Sequence, residues 1–280
     1  MPSPAPLTPV LASMLPGPGD PDAEYAQAFC RAAQLLLNHA TLFVAGSSYR
    51  LAEIEFYWYG PGHEDPFAHR DPIQVNSGVW YFHRQGGTYK GGTYKGVDIA
   101  MGRRPDTYVG ILIRSLVDPA SDTLIEGSCT CVDHVLSRTG KESVAALAGS
   151  FDGSIDPRKG SPLYLAHEDP QGGAAEVFDS PRVGLTLKKG ATPERRAFLG
   201  RPYRFTIEPA RTKKGRPHLV VRLHQKGLSI EEIVRITRVG AATAMRCVRA
   251  FEAGKGRDPE EYRGDLSTEK LCELWGALSG

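Results

Sequence analysis

No stretch of the chain approaches the roughly 20 consecutive apolar residues that a membrane span requires, so no membrane partner is expected. Cysteine is scarce and odd in number: five residues in 280, with no repeated spacing. That count argues against a disulfide framework and for a reducing, cytoplasmic setting. The first 21 residues contain no Lys or Arg, while proline stands at 2, 4, 6, 9, 16, 18 and 21. A secretory signal needs a basic start and an unbroken apolar segment, so residues 1–22 are expected to form a disordered leader. Cys129, Cys131 and His134 crowd three candidate zinc ligands into six residues with no second cluster, which is not the spacing of a structural zinc site. Neither a metal nor a cofactor is expected.

What remains is the composition of a soluble globular protein, 41% hydrophobic and 24% charged. The length allows one large domain and a small appendage. The net charge of only +2 conceals an asymmetry. Between Arg211 and Arg257 there are twelve Lys or Arg against Glu231, Glu232 and Glu252, after which the chain turns acidic. A basic segment in a nearly neutral chain is the electrostatic footprint of a polyanion partner. A solvated face of the same composition is the other reading.

The stretch from Leu51 to Asp71 concentrates ionisable groups. Glu53, Glu55 and Tyr57 alternate with Ala52, Ile54 and Phe56, a period of two that puts both carboxylates and the phenol on one face of a strand. The apolar face is left for the core. A Pro/Gly turn then leads into a loop carrying His63, Glu64, Asp65, His69, Arg70 and Asp71. Such a strand end and loop suit a catalytic or binding site, or else a half-buried edge strand with a solvated loop. Further on, Tyr108–Leu116 is a nearly continuous apolar run with Arg114 embedded in it. A buried Arg needs a carboxylate or an anion, and Glu55 or Glu53 is the candidate.

Around these elements the pattern predicts an α+β chain. A helix is expected over 23–39, and strands over 41–45, 49–59, 78–84, 97–101 and 108–116. Two helical pieces are expected over 128–149, and a late strand pair over 183–187 and 203–207. The duplicated Gly-Gly-Thr-Tyr-Lys at 86–90 and 91–95 reads as a flexible hairpin tip presenting Tyr89, Lys90, Tyr94 and Lys95. Past residue 211 three short helices are expected, over 217–226, 230–238 and 241–253. Ser229 and Glu232 form a capping box, Val239-Gly240 forms the turn, and the last helix carries Arg246 and Arg249. That order fits a helix-turn-helix DNA-binding tail, although a small three-helix bundle could produce it.

Taken in series, the motifs resemble the alkyladenine (3-methyladenine) DNA glycosylase family. They are Leu35-Leu-Leu37, Glu53-Ile-Glu55-Phe-Tyr57, Asp65-Pro-Phe-Ala-His69, Gly78-Val-Trp-Tyr81-Phe-His83, Leu112-Ile-Arg114-Ser-Leu116, Pro181-Arg182-Val-Gly184 and Arg204-Phe205. The order holds from about residue 28 to 208, and the tail lies outside it. The resemblance implies a curved, mostly antiparallel sheet with flanking helices, a glycosylase-like domain over 23–210 and a helix-turn-helix tail over 211–280. It implies a monomeric, nucleoid-associated enzyme that turns a base out of double-stranded DNA and hydrolyses its N-glycosidic bond. Glu55 would activate water and Arg114 would hold it. Tyr57, His69, Tyr81, His83 and Asp98 would line the base pocket. Tyr94, or else Tyr89, would fill the vacated stack, with Lys90, Lys95 and Arg182 on the DNA.

The chain departs from the family at two positions, where the second stacking tyrosine becomes His83 and the Asn of the pocket floor becomes Asp98. A carboxylate accepts hydrogen bonds but cannot donate them, and it suits an exocyclic amine. The substrate expected is therefore a modified cytosine or another enlarged base, such as those of hypermodified phage DNA, which would imply a defence role. Two other classes stand beside this reading. One is a non-catalytic DNA-binding regulator on the same fold, and the other is a metal-dependent nuclease using His63, Asp65, His69 and Asp71.

Overall fold

The computed structural model describes residues 6–17, 20–168 and 173–279; residues 1–5, 18 and 19 of the expected leader lie outside that set. Two compact units emerge, Met1–Glu64 with Ala68–Val177, and Asp65–Phe67 with Phe178–Gly280. Among the described residues no helix is long and apolar enough to cross a membrane.

The first unit begins with a correction. Part of the leader is ordered: Thr8–Met14 forms helix α1, and Leu7, Leu11 and Leu15 are buried. Their i, i+4, i+8 spacing makes one apolar stripe, a signal the surrounding prolines mask. Arg103 secures the segment by donating to the carbonyls of Ala12 and Pro16. Helix α2 (Asp22–His39) follows with Tyr25, Phe29, Ala32 and Leu36 buried at helical spacing.

The chain then builds strands β1 (Ala40–Val44), β2 (Ser47–Gly60), the short β3 (His63–Glu64), β4 (Ser77–Phe82), and the two-residue β5 (Arg84–Gln85) and β6 (Thr88–Tyr89) of a hairpin. Strands β7 (Val97–Met101), β8 (Tyr108–Asp118) and β9 (Thr123–Glu126) come next, followed by helices α3 (Ser128–Thr139) and α4 (Val144–Ala148) and strand β10 (Leu163–His167). The main sheet runs β10-β1-β2-β8-β7-β4, and each of these pairings is antiparallel. The unit is thus α+β, a large antiparallel sheet with flanking helices. The helical pieces over 128–149 part at Gly140, which takes a left-handed cap at φ 64°.

One face of β2 is covered by α2, with the ring of Phe29 stacked on that of Phe56 at 4.6 Å. The other face carries Glu53, Glu55 and Tyr57. The β2–β8 register slips between Leu51 and Ile54, a bulge next to the two acids. Bulges bend a strand and re-aim its side chains.

In the second unit, β11 (Phe178–Ser180) pairs antiparallel with β12 (Arg204–Thr206), and α5 (Pro193–Leu199) lies between them in sequence. The strand expected at 183–187 is turn and bend, because the pairing partner of β12 begins five residues earlier. Helices α6 (Arg216–Gln225), α7 (Ile230–Thr237), α8 (Ala241–Gly254) and α9 (Thr268–Ala277) complete the unit. Ser229 and Glu232 close the capping box on α7. The three residues Arg238, Val239 and Gly240 separate α7 from α8, with Arg238 at φ 54°. Leu219, Leu223, Ile233, Ala244, Phe251 and Trp275 are core residues. Helices α8 and α9 touch backbone to backbone, since a Cβ on Gly276 would stand 1.9 Å from the Phe251 carbonyl oxygen. The core draws in β11 ahead of the composition shift at 211: Asp179 accepts from Arg222 at 3.1 and 2.9 Å and pairs with Lys226 at 2.5 Å.

Candidate functional site

The sheet itself assembles the site. In register, Glu55 faces Leu112, Leu112 faces Asp98, and Asp98 faces Tyr81. Residues paired across adjacent strands point to the same face, so these four form one row across β2, β8, β7 and β4. At about 4.8 Å per strand, Glu55 and Asp98 stand on backbones about 10 Å apart. The next row of the same face holds Tyr57, Gly110 and Ala100.

At one end of the rows lies an acid–guanidinium group. Arg114 Nε donates to Glu53 Oε1 at 2.9 Å and is 3.4 Å from Glu55 Oε1. Ser115 Oγ also reaches Glu53, and the Tyr57 hydroxyl donates to Glu55 Oε2 at 2.8 Å. Both acids and Arg114 are buried. Burial works against the Arg114 charge, but Glu55 and then Glu53 outweigh it and hold the guanidinium above its usual range. The strand geometry therefore brings Arg114 to both of its expected partners, with the shorter contact to Glu53.

At the other end is an imidazole–carboxylate cluster. His83 Nε2 lies 2.8 Å from Asp98 Oδ1, and Gln74 Nε2 donates to Asp98 Oδ2 at 3.3 Å. The His69 and His83 rings meet edge-on at 4.4 Å. Tyr81 Oη lies 3.2 Å from His69 Nδ1 and accepts from the Arg84 backbone N–H. Burial raises the Tyr81 phenol above its usual range, so it stays protonated beside His69. His69 lies at the exposed rim, yet lost solvation and then the His83 charge lower it to about 4. It is neutral at pH 7.

Two glycines make room for this cluster. A Cβ on Gly110 would stand 2.4 Å from Asp98 Oδ2 and 2.5 Å from Gln74 Nε2, and one on Gly96 would stand 2.4 Å from the His83 ring. Gln74 is a residue that sequence reasoning missed. It closes a capping box with Asp71 over the turn Pro72–Val75, with its Oε1 accepting from Asp71 N–H at 3.2 Å. The signal was the spacing Asp-x-x-Gln at 71–74, which predicts a capped turn but not the contact with Asp98. Arg84 was missed too; it holds Asp71 from two nitrogens, at 3.1 and 2.5 Å. Burial pushes the Asp71 carboxyl up, but the Arg84 bonds prevail and hold it below the usual range.

The remaining candidates separate by environment. Tyr94 is 76% exposed, whereas Tyr89 is half-buried and lines a cavity of about 280 Å³ with Phe82 and Phe151. Lys90 is half-buried, and Lys95 is bonded to Asp133 of α3. Arg246 and Arg249 are exposed on α8. Arg182 is the clear correction: it is 2% exposed and bonded to Asp65 Oδ2 at 2.5 Å, inside the second unit. That pairing keeps it off any DNA-facing surface.

The same partners disperse the nuclease and zinc ligand sets. His63 stacks on Tyr25 at 4.0 Å, Asp65 holds Arg182, His69 takes Tyr81 and Asp71 takes Arg84. Cys129 points to the Gly92 carbonyl, Cys131 to that of Ile125, and His134 packs edge-on against Tyr49. Among the described residues no three His, Cys, Asp or Glu are grouped to hold a metal ion.

No family model matches the chain. It is 33% identical over 195 residues to an uncharacterized protein of Acanthamoeba polyphaga mimivirus, an alignment covering 65% of this chain and 87% of the viral protein. The chain belongs to the same family as that protein.

Proposed function

We propose that the protein is a monofunctional DNA glycosylase that turns a modified base out of the duplex and hydrolyses its N-glycosidic bond, leaving an abasic site. The observation that carries the reading is the meeting of Arg114 with Glu53 and Glu55 on the face that also holds Asp98 and Tyr81. N-glycosidic cleavage passes through an oxocarbenium-like sugar. It needs a carboxylate that takes a proton from water and opposes the developing positive charge. Glu55, bonded by Tyr57 and flanked by Arg114, is assigned that role, and Arg114 holds the water. The bond breaks with its electron pair going to the base, the hydroxyl goes to C1′, and the water's proton goes to Glu55.

Tyr57, Tyr81, His69, His83 and Asp98 are assigned to the base, on a glycosylase-like fold. The exposed Tyr94 fills the vacated stack. The pair α7–α8, with Arg246 and Arg249 outward, is assigned as a helix-turn-helix contacting DNA. The substrate is a modified base other than the ordinary alkylpurine, a modified cytosine among the candidates, and the protein acts as a monomer on double-stranded DNA in the cytoplasm. The test incubates the protein with modified duplexes and then applies hot alkali, which nicks abasic sites. Nicking that disappears in Glu55→Gln while DNA binding persists supports the enzyme. Binding without an abasic product from any base tested means a regulator on the same fold.

A further inference from the structure

Helix α8 turns one side to the core and leaves the other bare. Ala244, Cys247, Ala250, Phe251 and Gly254 are buried, whereas Ala241, Ala242, Met245, Arg246 and Arg249 are exposed. The exposed positions recur at i, i+1, i+4, i+5 and i+8, which is one face of a helix. The N-terminal end of that face is apolar. Met245, 39% exposed, is one of three large hydrophobic side chains left in the open among the described residues. Around it stand cations without acids. Arg238, Arg246 and Arg249 form no ion pair with any described residue, and Arg246 Nη2 donates to Thr243 Oγ1 at 3.4 Å. The acid of the helix, Glu252, sits in its last turn and is taken by His224 and Lys255, at 2.9 and 2.7 Å. A cationic face with no acid of its own is complementary to a polyanion.

We infer that residues 241–245 of α8 read the C5-methyl group of a pyrimidine in the major groove of double-stranded DNA, while Arg238, Arg246 and Arg249 meet phosphates. The inference rests on the reading of α7–α8 as a helix-turn-helix, in which the N-terminal residues of the second helix contact base edges. Guanine and adenine are specified by paired hydrogen bonds from Arg, Lys, Asn or Gln, and the amine of cytosine by Asp or Glu. None of these types occurs over 241–245, where the sequence is Ala-Ala-Thr-Ala-Met. The one hydroxyl there, on the half-buried Thr243, already accepts from Arg246. What this end of the helix offers is apolar contact, and the C5-methyl is the apolar group that a pyrimidine shows in that groove. Alanine at 241 and 242 lets the backbone come close to the base edges, and Met245 has the length and flexibility to pack on a methyl.

The test is an anisotropy titration of the full chain, at one salt concentration, against two pairs of lesion-free duplexes. One pair is alternating A·T and the same sequence with uracil for thymine. The other is G·C and the same sequence with 5-methylcytosine for cytosine. The wild type should bind the methyl-bearing member more tightly, by about 4-fold for each methyl contacted, the effect of taking one apolar carbon out of water. The pair that shows the preference names the pyrimidine. Met245→Ala should shrink the ratio and leave the salt dependence unchanged, whereas Arg249→Ala should weaken all four duplexes alike and leave the ratio. Equal affinity within both pairs overturns the inference and leaves α8 a phosphate-binding helix. A preference that survives Met245→Ala in full also overturns it. Hot-alkali nicking of lesion-bearing duplexes is scored separately. A protein that nicks without the methyl preference loses this inference alone, and one that shows the preference but never nicks loses the glycosylase reading alone.

Discussion

Arg114 donates its Nε–H to Glu53 at 2.9 Å, while the acid assigned to the chemistry, Glu55, stands 3.4 Å from the same nitrogen. One guanidinium therefore serves two carboxylates, and their parts should be separable by substitution. Glu55→Gln is expected to lower base release by about 100- to 10,000-fold, the range for removing a general base, with duplex affinity retained in a gel-shift assay. Arg114→Met removes the guanidinium that two buried acids share. It should cost about 3–5 kcal/mol, read from urea denaturation, because breaking a buried pair strands the remaining charge. An Arg114→Met protein as stable as wild type would contradict the burial of this group.

Gly110 offers a steric test of the cluster that avoids its polar groups. A Cβ there would press on both Asp98 Oδ2 and Gln74 Nε2, so Gly110→Ala should break their hydrogen bond. Overpacking of this kind costs about 1–3 kcal/mol. Calorimetry should show the loss of stability, and base release should fall with it. Gly46 has nothing within 4 Å of its ideal Cβ but adopts φ +84°; an alanine there should affect stability without altering base release.

Arg182 and the α8 arginines make opposite predictions. Arg182→Met strands the buried Asp65 and should destabilise the protein by about 3–5 kcal/mol; at temperatures where it stays folded, the salt dependence of duplex binding should not change. Arg246→Ala and Arg249→Ala should leave stability within about 0.5 kcal/mol. If each contacts one phosphate, each should reduce the slope of log affinity against log salt by about 0.9. Slopes unchanged in both would remove α8 from the DNA interface.

The second unit should show an acid-sensitive contact at Asp179. Burial raises its carboxyl, but hydrogen bonds from Arg222 and Lys226 prevail and hold it below the ordinary value of 3.8. A depressed folded value means the contact stabilises fully above the unfolded value and is lost as pH falls through the folded one. The stability difference between wild type and Asp179→Asn should thus be level from pH 7 to about 5 and shrink below about 4. Denaturant titrations at several pH values measure it, and a difference that instead grows on acidification would reverse the assignment.

The regular parts of this fold were legible because their periods are local. Alternation at 52–57 placed Glu53, Glu55 and Tyr57 together, and the embedded Arg114 announced a carboxylate partner. The Ser229–Glu232 capping box, read from four residues, stands as expected. Legibility ended where a residue's partner is distant in the chain. The Arg182 pairing with Asp65 spans 117 positions, and no local pattern marks it. The late strand was misplaced because Val183–Leu187 has strand composition, whereas Asp179 is tied into β11 by cations some forty residues later. In the leader, proline content outweighed a three-leucine stripe whose burial depends on the rest of its unit.

Gln74 turns its amide oxygen to the Asp71 backbone and its amide nitrogen to Asp98. Rotating that amide by half a turn would set donor against donor at one end and oxygen against carboxylate at the other, so its orientation is fixed from both sides. Lifting the 71–75 turn therefore strips a hydrogen bond from the carboxylate that steadies His83. The posture of that turn and the seating of the imidazole are consequently set together.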